Sequence, residues 1–167
     1  GENQIVGVAD SGVNDLSCYF RDNSWELALA RKVKDDQFNL KGRFSNISTI
    51  LTNRNGELET FRRKIVQYVP YADDVDDMGG HGTHVCGTIV GESLSEFQAM
   101  NGIASKAKIT FYDIGFSALT MLKIPPLTQM FDIAYQSGAR VHSNSWGGLG
   151  GIYSTLSLEV DLYLYQH

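Results

Sequence analysis

Gln4-Ile5-Val6-Gly7-Val8-Ala9 runs without a charge into Asp10-Ser11-Gly12. A short, continuous apolar run reads as a buried strand, and Asp-Ser-Gly as the turn that closes it. The run does not alternate with polar residues. That suits a parallel strand covered on both faces rather than one wetted on a single side.

The pattern continues downstream. Ile65-Val66-Gln67-Tyr68-Val69 and residues 107–114 read as two more strands. Between them, Gly79-Gly80-His81-Gly82 leads into Thr83-His84-Val85-Cys86-Gly87-Thr88-Ile89-Val90, apolar nearly all round, as expected of a buried helix. Pro126 is placed to start a helix running to Ser137. Met130, Ile133, Ala134 and Ser137 share one face, and Gly138 stands at its end. Residues 139–145 read as a strand, followed by Trp146-Gly147-Gly148. Strands alternating with helices predict crossover units and an α/β fold with a mostly parallel sheet.

Two regions resist this reading. Residues 19–69 are weakly patterned: residues 25–32 offer a short helix and Asn53-Arg54-Asn55-Gly56 a turn. Near the end, Leu156, Leu158, Val160, Leu162 and Leu164 alternate strictly, which by periodicity predicts a strand. Leu158 with Leu162, and Val160 with Leu164, also pair at helical spacing.

Composition narrows the functional classes. The 167 residues are 43% apolar and 20% charged, enough for one domain with a core. The net charge of −5 argues against a nucleic-acid or membrane-surface partner. No apolar run is long enough to span a bilayer, and no signal peptide opens the chain. Cys18 and Cys86 allow one disulfide, but two reduced thiols are the plainer reading. A lone sequon, Asn46-Ile47-Ser48, says little.

Asp10 stands at the carboxyl end of a buried strand, where open α/β sheets place their sites. Alone, it reads better as a turn residue capping its own backbone. His81, between glycines at a helix start, reads alone as a buried histidine satisfied by a carbonyl. Together they change the weighing. A helix amino terminus disfavours imidazolium. A general base there needs an anion, and Asp10 would supply it while fixing the ring tautomer.

Ile5 to Gly12 and His81-Gly82-Thr83-His84-Val85-Cys86-Gly87-Thr88 resemble the catalytic Asp and His signatures of the subtilisin-like serine proteases. Asn101-Gly102-Ile103-Ala104 resembles the entry to that family's next core strand, and residues 138–148 its substrate-binding strand. The segments follow the family's order and cover about half the chain. The resemblance implies a three-layer α/β/α domain, incomplete in these 167 residues, with residues 19–69 as a surface insertion. It turns residues 156–164 into a helix. It implies an Asp-His-Ser triad in that chain order, with His81 as base and Asp10 as its orienter. Ser145, Trp146 and Gly147 would offer backbone to an extended polypeptide substrate, with Gly115 and Phe116, and Ser117 beyond them, as the opposite wall. A plain core role suits Phe116 equally well. It also implies a secreted or extracytoplasmic protein.

Three departures matter. Asp10 and His81 are 71 residues apart, more than in compact members. Residues 91–100 do not match the calcium loop of bacterial subtilisins. The acidic run Asp73, Asp74, Asp76, Asp77 offers clustered oxygens of the kind calcium takes, but reads better as a solvated loop. No metal or cofactor is assigned. Last, the oxyanion Asn and the nucleophilic Ser are expected beyond residue 167, in the remaining C-terminal part of the domain. The chain alone is therefore expected to be inactive and to leave a sheet edge unpaired. A noncatalytic peptide-binding module is the competing reading, and a metal site on His81 and His84 a weaker third. A thiol as close to His81 as Cys86 would make the enzyme sensitive to mercurials.

Overall fold

The computed structural model describes residues 1–22, 54–76, 79–94, 98–116, 121–148 and 150–167. The helix expected at residues 25–32, the sequon at Asn46, and Asp77 and Ser117 lie outside them.

Strands β1 (Ile5–Asp10), β2 (Ile65–Pro70) and β3 (Lys108–Asp113) form a parallel sheet. A hairpin follows, β4 (Gly115–Phe116) with β5 (Met121–Leu122), and β6 (Val141–Asn144) then returns to the sheet. The sheet order is β2-β3-β1-β6. Three helices accompany it among the described residues: α1 (His81–Val90), α2 (Leu127–Gln136) and α3 (Thr155–Gln166).

Side-chain alternation along the strands feeds two cores. Val8, Ile109 and Phe111 pack with Tyr68, Cys86 and Val90 under α1. Ala9 and Tyr112 pack with Leu127, Met130, Phe131 and Tyr163 on the side of α2 and α3. Both faces are covered, which makes three layers. It also explains why residues 5–9 are apolar throughout: β1 is covered on both faces, fully so from Gly7 to Asp10.

Several boundaries differ from the sequence expectation. Helix α1 is not buried all round. Gly82, Cys86 and Val90, spaced by four, face the sheet, while His81, His84 and Thr88 are exposed. Pro126 precedes the second helix rather than opening it, and its carbonyl accepts the Met130 N–H at 3.3 Å. The last strand is shorter than expected, so Ser145 to Gly148 leave the sheet without strand structure.

Residues 155–166 are helical despite their alternating leucines. A capping box decides it: the Ser154 side chain accepts the Ser157 N–H, and Ser157 Oγ accepts the Ser154 N–H. Alternation then scatters the leucines around the helix. Leu156, Leu158, Leu162 and Leu164 stay 38–71% exposed, while Tyr163 docks on α2 through Asp132 at 3.1 Å. Among the described residues β6 pairs only with β1, and Val141 on it is exposed.

Buried Gln67 gathers three polar partners. Thr110 Oγ1 and Ser137 Oγ both donate to Gln67 Oε1, and Gln67 Nε2 donates to the Gly56 carbonyl. Cys18 and Cys86 are free thiols, one exposed and one buried, so no disulfide joins them.

His142 on β6 packs edge-on against Phe131, ring centroids 5.0 Å apart. Burial pushes its imidazole down to about 4. The folded state therefore binds fewer protons than the unfolded one between that value and the ordinary 6.5 or so. Its contribution to stability is complete above that window and lost as pH falls through it, by up to about 3 kcal/mol. Thermal unfolding of His142→Gln should show a smaller loss of stability between pH 7 and pH 4 than the unmutated protein. Equal losses would refute that assignment. Burial also holds the Cys86 thiol well above its ordinary value. A thiol reagent should label Cys18 in the native protein and Cys86 only after denaturation, which peptide mapping would read directly.

Candidate active site

The register puts the ends of the strands side by side. Asp10 pairs with Asp113 on β3, and Asp113 with Pro70 on β2. Ala9 pairs with Asn144 on β6. Because β3 and β6 are the two neighbours of β1, the chain leaving them departs on either side of Asp10. Gly115 and Phe116 leave on one side. Ser145, Trp146 and Gly147 leave on the other.

Asp10 is 2% exposed. Its Oδ1 accepts the Ser11 N–H at 2.8 Å and stands 2.7 Å from His81 Nδ1. Its Oδ2 is buried without a partner among the described residues. The His81 side chain is 54% exposed, so the ring reaches from this buried carboxylate towards solvent. With Nδ1 donating to Asp10, the ring's second nitrogen, Nε2, carries the lone pair at the opposite edge. A carbonyl-satisfied core histidine, the plain reading of His81 alone, is not what the fold contains.

Bare backbone makes this approach feasible. A Cβ on Gly82 would lie 2.0 Å from the Gly12 carbonyl oxygen. Gly12 itself has φ +112, and a Cβ there would lie 2.4 Å from Asp76 Cα. The turn after β1, the start of α1 and the acidic loop thus touch through their main chains.

The first turn of α1 has no cap of its own, since Gly80 precedes it in the left-handed region. Caps arrive from elsewhere. Ser11 Oγ accepts the Gly82 N–H at 3.1 Å, and Asp76 Oδ2 accepts the Thr83 N–H at 3.3 Å. Asp76 Oδ2 also accepts the Thr83 hydroxyl, and Ser11 Oγ donates to Asp76 Oδ1. A carboxylate at a helix amino terminus is favoured there. Asp76, expected in a solvated loop, is therefore a helix cap. Asp73 closes its own turn on the Val75 N–H.

Trp146 is half-buried, and its indole N–H donates to the Ala9 carbonyl at 3.0 Å. Its ring packs with the cluster on the α2 side of the sheet, while Ser145 and Gly147 on either side are exposed. Gly115 is buried and Phe116 half-buried in a hairpin that nothing in the sequence announced. His84 lies along a separate groove with Phe20 and Gly102, away from the Asp10 pairing.

The sequence reading missed the roles of Ser11, Asp76 and Asp113. Ser11 had a visible signal, since it follows Asp10 directly. Asp76 had none, because capping across the fold leaves no fixed spacing.

Comparison with known proteins identifies the family. The model of the Subtilase family matches residues 1–165. Three relatives from Dictyostelium discoideum align with the whole chain. They are the serine protease/ABC transporter B family proteins tagB, tagD and tagA, at 31%, 30% and 29% identity. The chain spans only 8% of the length of each. A family match over nearly every residue, laid on a parallel sheet that ends in a carboxylate–imidazole pair, leaves one conclusion: the chain belongs to the subtilase family.

Proposed function

We propose that the full-length protein is a serine endopeptidase and that these residues carry two of its three catalytic groups. The 2.7 Å contact between Asp10 Oδ1 and His81 Nδ1 is the observation that supports this best. In this reading Asp10 holds His81 in the tautomer whose Nε2 is free to take a proton. His81 takes it from a serine hydroxyl as that oxygen attacks the peptide carbonyl. It returns the proton to the leaving amine. Buried and bonded to the ring, Asp10 stabilises the imidazolium without accepting the proton itself.

The substrate would be a polypeptide in extended conformation. Ser145, Trp146 and Gly147 would line one side of it and Gly115 and Phe116 the other, with the Asp10 turn between them. Trp146 fits the role of a post more than of a pocket wall, because its indole is tied to Ala9. No serine in this sequence has a Gly-Thr-Ser context. We therefore assign the nucleophile and the oxyanion donor to chain outside these residues, and expect these 167 alone to be inactive. The exposed leucines of α3 and the edge of β6 suit contact with that chain. The relatives' names join a serine protease to an ABC transporter. We extend that association to this protein, with the protease portion outside the cytoplasm. No described helix is long and apolar enough to cross a membrane.

Hydrolysis of a fluorogenic peptide by the full-length protein tests the proposal. His81→Ala should lower kcat by about 10⁶, the magnitude found in subtilisin, and Asp10→Asn by about 10⁴, the magnitude found for the same exchange in a chymotrypsin-type triad. Gly82→Ala should also cost kcat strongly, because relieving its clash with Gly12 moves His81 off Asp10. A fluorophosphonate should label a serine outside these residues. Labelling of Ser145 would overturn the assignment of roles, and peptide binding without hydrolysis would favour a noncatalytic module.

A further inference from the structure

Beside Asp10 lies a second buried carboxylate that the triad does not use. Asp113, the last residue of β3, is fully buried and is Asp10's register partner. Its Oδ2 accepts the Tyr68 hydroxyl from β2 at 2.5 Å. Its Oδ1 accepts the Gly115 N–H at 3.1 Å. No cationic side chain is paired with it by an ion pair among the described residues. The nearest positive charge acts at one remove. The Arg54 guanidinium sits 4.4 Å from the Tyr68 ring centroid and is itself bonded to Asp15 and the Val13 carbonyl.

Gly115 is where this pair touches the cleft. A Cβ on Gly115 would lie 2.5 Å from Ser11 Cα, so β4 rests on the backbone of the Asp10 turn. Ile114, the link between β3 and β4, donates its N–H to the Asp10 carbonyl at 3.0 Å. Ser11 in turn caps the helix that carries His81. Tyr68, Asp113, Gly115 and Ser11 thus form a continuous line from the sheet interior to the substrate side of the catalytic pair.

We propose that Asp113 is a positioning residue for the substrate cleft: clamped by Tyr68, its carboxylate pins Gly115 against the Asp10 turn, and its protonation loosens that wall and weakens peptide binding. This rests on the cleft assigned above. A carboxylate holds an N–H about twice as strongly as a neutral acceptor does, so gain of a proton relaxes the Gly115 bond while leaving the fold in place. Burial pushes Asp113 up to about 7, against the lowering effect of Tyr68, the Gly115 N–H and Arg54, while Asp73 pushes the same way as burial. From β1 the facing group is Asp10. From α1, on the same side of the sheet, come the His81 ring and the uncharged Cys86 thiol. The group therefore changes charge across neutral pH, where a peptidase would work.

The sign is fixed by the chemistry. The ionised form pins Gly115, so affinity is greatest above the transition and falls as pH drops through it. His81 acts on kcat instead, because a base must be neutral to work. The two effects separate in kinetics.

The test uses the full-length protein and a fluorogenic peptide between pH 6 and pH 8.5. KM should rise about five-fold as pH falls across this range, the size expected for exchanging a charged for a neutral acceptor. Asp113→Asn should show the raised KM at every pH, with kcat little changed. Tyr68→Phe removes a donor to the ionised form and should move the KM transition to higher pH. It keeps the aromatic ring, so it decides the matter if Asp113→Asn does not fold. Deuterium exchange of the segment spanning residues 113–116, corrected for intrinsic rates, gives a readout independent of activity. Protection of the Gly115 amide should fall with pH in the unmutated protein and be low throughout in Asp113→Asn. A KM profile unchanged by both substitutions, or Gly115 protection independent of both pH and residue 113, overturns the proposal. If the protein cleaves no peptide but Gly115 protection still follows Asp113, the endopeptidase reading fails and the pinning of β4 stands.

Discussion

The backbone contact between Gly12 and Gly82 is the constraint on which the site depends. One glycine belongs to the turn after β1 and the other to the first turn of α1. Neither tolerates a Cβ where it lies, since the Gly82 position faces the Gly12 carbonyl and Gly12 faces Asp76. Only this bare approach lets the buried Asp10 reach the half-exposed His81 ring, although 71 residues of chain separate them. Helix α1 has no side-chain cap of its own because Gly80, in the left-handed region, stands at its start. Ser11 and Asp76 replace it from other segments, so the pairing of Asp10 with His81 and the start of α1 are stabilised by the same few groups.

The sheet has a corresponding division of labour. Its interior is apolar on both faces, and its polar residues gather where strands end or where a partner waits. Gln67 collects the hydroxyls of Thr110 and Ser137 within the α2 side, and Tyr68 meets Asp113 on the α1 side. These neighbours on β2 point to opposite faces, as strand geometry requires. One secures a helix to the sheet. The other reaches the carboxyl edge, where three aspartates (Asp10, Asp113 and Asp76) surround the turn that carries the chemistry. Asp10 bonds the imidazole, Asp76 caps α1 and Asp113 accepts the Gly115 N–H, so the three carboxylates have different work despite their proximity.

Much of this was legible in local sequence. The apolar run before Asp10 announced a doubly covered strand, because burial on both faces leaves no position for a polar residue. The Gly-His-Gly step announced a close approach. The leucine alternation at residues 156–164 misled by period alone, and the capping box at Ser154 and Ser157 overrode it, since it satisfies the first helix amides locally. Helix α1 looks buried all round in sequence because Val85, Ile89 and Thr88 are apolar or small, while only Gly82, Cys86 and Val90 are fully buried, Val85 and Ile89 are partly so and Thr88 is exposed.

What the sequence by itself determined is therefore the four strands of the main sheet with α1 and α2, their parallel arrangement and the partnership of Asp10 with His81. Each of these follows from neighbours in the chain or from two motifs that give meaning to one another. Tertiary structure alone decided that Asp76 caps a helix, that Trp146 is tied to Ala9, and that Asp113 lies buried between Tyr68 and Gly115. An Asp at a strand end looks the same in sequence whether it faces water or a tyrosine 45 residues away. The charge it carries depends on that surrounding, and only folding supplies it.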